Sequence, residues 1–121
     1  MDYLDLSKIK DIPDVPVKEI EIPEWKAKIQ VKGLTKKMQV ELARISTDVG
    51  KDAFDYQKAL LKASVINPVL DDDAIDKLYD KDATIIDRIF VEIADINGIG
   101  GEVQAEMSDE FQEQSWYFFS I

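Results

Sequence analysis

A chain of 121 residues with 45% apolar and 33% charged side chains fits one globular domain, able to bury about two thirds of its surface without covalent staples. It contains no cysteine and no histidine, which excludes disulfides, thiolate metal sites and the commonest general base. The net charge of -10 is unevenly spread, at +1 over residues 1–66 and -11 over residues 67–121, so the second half repels nucleic acid and anionic membranes.

Such an acidic half suits a basic protein partner, or serves solubility alone. No run approaches the roughly 20 apolar residues that cross a bilayer, and Met1-Asp2-Tyr3 is neither a basic nor an apolar leader, so a cytoplasmic protein is expected.

Residues 1–16 carry alternating charges, Pro13, Pro16 and scattered apolar side chains at Tyr3, Leu4, Leu6, Ile9 and Ile12, which predicts a flexible arm. From Val17 the pattern changes. Val17, Ile20 and Ile22 lead to Pro23-Glu24-Trp25, after which Ala27, Ile29 and Val31 alternate with Lys26, Lys28, Gln30 and Lys32. Period two on both sides of a proline turn predicts a β-hairpin, and its lysine-rich outer face discourages edge pairing.

Gly33 closes the second strand, and Thr35 is placed to cap a helix through about Val49, with Leu34, Met38, Leu42 and Ile45 inward and Gly50 as the stop. A second helix is predicted from about Asp52 through Ile66, apolar at Ala53, Phe54, Ala59, Leu60, Leu61, Ala63 and Val65 and broken by Asn67-Pro68. Asp71 to Asp73 cap a short helix bearing Ile75, Leu78 and Tyr79. The strongest signal follows, over residues 82–98. Asp82 caps, Ile85, Ile86, Ile89, Phe90, Ile93 and Ile96 form one buried stripe, and Asn97-Gly98 ends the helix. The whole reads as an α+β domain over residues 17–98, an N-terminal hairpin followed by about four helices.

Gly100 and Gly101 separate this domain from an acidic tail, residues 99–121, with an aromatic end. Val103, Met107 and Phe111 recur every fourth residue, and Trp116, Tyr117, Phe118 and Phe119 are consecutive aromatics. These seven are the candidate partner-binding residues, because clustered aromatics on a soluble chain mark interfaces; the alternative is that the strip folds back into a groove of its own domain.

No catalytic constellation stands out. There is no phosphate loop, no dinucleotide fingerprint and no nucleophile elbow, so no catalytic residue, no cofactor and no enzyme activity are expected. A carboxylate-dependent enzyme would need a pocket gathering acids such as Asp71, Asp76 and Glu92. The run Asp71-Asp72-Asp73 resembles the start of a calcium loop, but Ile75, Asp76 and Asp82 stand where an oxygen ligand, glycine and glutamate belong. Helix capping explains these acids more simply, and no metal site is expected.

Taken together, a hairpin written EIEIPEWKAKIQVKGLT, a run of helices and a late helix reading DRIFVEIADING resemble the tail assembly chaperones of long-tailed bacteriophages and prophages of Gram-positive hosts. The resemblance covers about residues 17–98. It implies a non-enzymatic holdase in the cytoplasm of the bacterial host, absent from the mature virion. Its partners would be the tape measure protein, which it keeps soluble, and the tail tube protein, which it helps recruit; self-association into a homo-oligomer would be consistent with the flexible first 16 residues, the hairpin edge and the aromatic tail. The family is commonly made in two forms through a ribosomal frameshift, and Phe118-Phe119 is compatible with a slippery run of uridines; two UUC codons would exclude that location. An unrelated acidic adaptor, or an inhibitor that mimics nucleic-acid charge, is the alternative reading.

Overall fold

The structure is a computed structural model that describes residues 1–98. Its centre is the helix that the isoleucine stripe predicts. This helix, α4 (Ala83–Ile96), is capped by the Asp82 side chain, which accepts from the Thr84 N–H at 2.9 Å. Ile85, Ile86, Ile89, Phe90 and Ile93 are buried, Ala94 joins them, and Ile96 is half-buried at the last turn.

Against α4 packs an antiparallel sheet of order β1-β2-β3. Strands β1 (Val17–Ile22) and β2 (Ala27–Lys32) form the predicted hairpin, in a register that pairs Ile20 with Ile29 and Ile22 with Ala27. A turn of 3-10 helix, Pro23–Trp25, joins them and closes through Lys26, whose left-handed backbone (φ 51°) lets its N–H donate to the Pro23 carbonyl at 3.0 Å. Ile20, Ile22 and Val31 face inward, and the acids of β1 face out.

Helix α1 (Lys36–Thr47) begins at the predicted Thr35 cap, whose hydroxyl accepts from the Met38 N–H at 3.2 Å. It stops before Gly50, because Asp48 leaves helical geometry and its carboxylate instead accepts from the Gly50 N–H at 2.8 Å. Helix α2 (Ala53–Ser64) starts with a reciprocal cap, Asp52 accepting from the Asp55 N–H and Asp55 from the Asp52 N–H, at 2.9 and 3.0 Å. The sequence predicts this helix through Ile66, and here the structure differs. Val65 and Ile66 belong to β3 (Val65–Asn67), which pairs with β2 and turns the hairpin into a three-stranded sheet. Two β-branched residues ahead of an Asn-Pro step favour extended backbone, and the open edge of β2 supplies the hydrogen-bonding partner. The lysine-bearing strand is therefore central rather than an edge.

Helix α3 (Asp72–Leu78) follows, capped by Asp71, which accepts from the Ala74 N–H at 2.8 Å. Leu60, Leu61, Val65, Ile75 and the α4 stripe complete one buried cluster with the sheet. The first residues form a turn of 3-10 helix, Leu6–Asp11, capped by Asp5, with Tyr3, Leu4, Leu6, Ile9 and Ile12 all exposed. No described helix is long and apolar enough to cross a membrane.

Candidate functional site

The hairpin is fastened to α4 at both ends. At the turn, the Arg88 guanidinium donates two 2.8 Å hydrogen bonds to the two carboxylate oxygens of Glu24, a fork-to-fork pair. That contact holds the Glu24 carboxyl at about 2, well below its usual value. Along β1, Lys18 pairs with Glu92 and lies 3.7 Å from Asp95, and the Glu92 hydrogen bond raises the Lys18 pKa. At the far end of α4 the Asn97 side chain bridges two backbones. Its Oδ1 accepts from the Leu34 N–H and its Nδ2 donates to the Ile93 carbonyl, both at 2.8 Å. Gly33 sits beside it, and a Cβ there would come within 3.2 Å of Pro16.

With the hairpin so fixed, its turn and the start of β2 leave an open apolar groove of about 450 Å³ against the helices and β3. Its most buried lining residues are Leu61, Val65, Ile86 and Ile89. Trp25, Ala27 and Ile29 line it from the hairpin, and Pro68, Leu70, Ala74 and Leu78 from the loop after β3 and from α3. Among the described residues, the only charged side chains on it are three lysines, Lys28, Lys77 and Lys81. Lys28 lies 3.4 Å from Glu19 and Lys77 lies 3.0 Å from Asp73, both at the surface; no carboxylate among the described residues lies within ion-pair distance of Lys81.

The groove is thus a basic-rimmed apolar trough on an acidic chain. Two of the three cations in residues 67–121 are on it. Its volume is that of a small-molecule site, but such sites carry convergent polar groups that fix a ligand's orientation, and this one offers only flexible ammonium groups. A trough of this kind accepts an apolar stripe of a helix or an aromatic strip.

A smaller cleft of about 170 Å³ lies between α2, α3 and α4, lined by Gln57, Tyr79, Asp87 and Phe90 among others. The Tyr79 hydroxyl donates to Gln57 Oε1, and burial, with Asp87 adding, pushes the Tyr79 pKa upward. The Tyr79 ring packs on Phe54 at 4.8 Å, with the Lys58 ammonium 4.6 Å from the Phe54 ring centre. These are packing contacts, and none presents a reactive pair.

The acidic residues considered from sequence have structural partners. Asp71 caps α3, Asp72 pairs with Lys62 at 2.6 Å, Asp73 with Lys77, Asp76 with Lys58 at 3.2 Å, and Glu92 with Lys18. Among the described residues no group of carboxylates is arranged to hold a metal ion. The predicted partner-binding residues Val103, Met107, Phe111, Trp116, Tyr117, Phe118 and Phe119 lie outside the described residues. The groove was not anticipated from the sequence, although several of its lining residues, among them Ala27, Ile29, Leu61, Leu78, Ile86 and Ile89, were read there as inward-facing apolar positions.

Comparison with known protein families, with curated proteins and with solved structures finds no match.

Proposed function

We propose that this chain is a tail assembly chaperone of a long-tailed phage or prophage, a non-enzymatic holdase that binds the tape measure protein in the host cytoplasm. It keeps that protein soluble, acts in several copies on one client, and helps recruit tail tube subunits. The apolar groove carries this reading. A tape measure protein exposes long apolar helical stripes before assembly, and a trough lined by Trp25, Ile29, Leu70 and Leu78 covers such a stripe while the acidic remainder of the chain adds solubilising charge. The two segments that carry the family resemblance also meet in space, through Glu24 with Arg88 and Leu34 with Asn97.

Co-expression with the large tape measure protein encoded beside it tests the proposal. The expected result is a soluble complex that co-purifies, from a client that is insoluble alone. Insoluble client, with the small chain by itself in the supernatant, contradicts it and favours an acidic adaptor for a basic partner.

A further inference from the structure

The groove and the aromatic tail are two apolar surfaces on one chain, and leaving both exposed to water is unfavourable. Their charges are complementary. The groove is edged by Lys28, Lys77 and Lys81 with no carboxylate among its described lining residues, whereas residues 99–121 carry Glu102, Glu106, Asp109, Glu110 and Glu113 and no cation. The lysine edge of the trough attracts that acidic segment, and no carboxylate among the described lining residues opposes it.

The connection is long enough. The described chain leaves α4 at Gly98, and Ile89 on the groove lies nine residues earlier, about 14 Å back along the helix axis. The five residues 99–103 span up to about 17 Å when extended, so the groove is within reach of Val103 and everything after it without moving the domain. Gly100 and Gly101 are residue types that permit a reversal at the start of that path.

We infer that the groove formed by Trp25, Ile29, Leu70 and Leu78 is occupied in the free protein by this chain's own acidic, aromatic segment, with Trp116, Tyr117, Phe118 and Phe119 seated between the three lysines. The segment is an intramolecular ligand. It covers the groove until a competing apolar surface displaces it, and it is the second of the two roles that the sequence leaves open for the strip. Docking in cis does not depend on which client the protein serves.

The absence of cysteine makes the test direct. A Ser115→Cys substitution in the full chain takes a single nitroxide label, and paramagnetic broadening of backbone amides reports what lies near it. The expected result is loss of most of the amide intensity at Ala27, Ile29, Leu70, Ala74 and Lys81, with Val40 and Thr47 on α1 unaffected. Reversing the charge of Lys77 and Lys81 to Glu, both exposed and outside the core, should restore most of that intensity. Groove amides that stay sharp overturn the proposal, as does broadening that survives the charge reversal. In a mixture of isotope-labelled chain without nitroxide and unlabelled chain with it, the same broadening would assign the contact to a second copy and overturn docking in cis. No client enters the experiment, so its failure leaves the chaperone reading standing, and the failure of that reading leaves this one standing.

Discussion

Asn97 shows how much one side chain does that local pattern alone does not reveal. In sequence it is half of an Asn-Gly helix stop. In the structure its amide satisfies the Leu34 N–H and the Ile93 carbonyl at once, tying the end of α4 to the exit of the hairpin. Asn97→Ala leaves a half-buried donor unpaired and should cost about 1–3 kcal/mol in chemical denaturation; an unchanged midpoint would show that water replaces both bonds. Phe90, almost fully buried at the centre of α4, was legible as core from its place in the isoleucine stripe. Its replacement by Ala should cost about 3–5 kcal/mol. Ser64 runs the other way. Its hydroxyl is fully buried with no hydrogen-bond partner among the described residues, so Ser64→Ala should raise stability by about 1 kcal/mol. A loss of stability would reveal a partner for that hydroxyl.

Among the elements, those with both a cap and a periodic stripe were readable in advance. α1, α3 and α4 begin at the Thr35, Asp71 and Asp82 that the sequence marks, and the hairpin turns at Pro23–Trp25. β3 was hidden because Val65 and Ile66 continue the apolar pattern of α2, and only tertiary pairing with β2 decides that they are extended. The clamp between the hairpin turn and α4 was equally invisible, because Glu24 and Arg88 are far apart in the chain and both read as solvent-facing. It makes a pH prediction. The Glu24 carboxyl falls from its usual 4.5 to about 2 on folding, so whatever stability the pair adds is present above about pH 4.5 and is lost as the pH drops toward 2. A carbon-detected NMR titration of Glu24 should show this depression, and Arg88→Gln should return the midpoint to the ordinary carboxylate range. A wild-type midpoint already in that range would mean that the fork-to-fork pair does not persist in solution.

At the scale of the whole molecule, the α+β class follows from the change of period between residues 17–32 and 36–96. The groove does not follow from period, because it is assembled from the hairpin, α2, β3, α3 and α4, and periodicity tells which residues are half-buried without telling which of them line up. Charge placement is the other property of the whole. A chain that is acidic overall keeps two of the few cations of its second half on the edge of its apolar trough, and this contrast joins the surface to the function proposed for it. The most direct measurement is light scattering as the denatured tape measure protein is diluted into buffer with increasing amounts of the full chain. The account predicts suppression of aggregation that rises with concentration and is absent with an unrelated protein of equal negative charge. Scattering unchanged at every excess, or suppressed equally by the unrelated acidic protein, would contradict it.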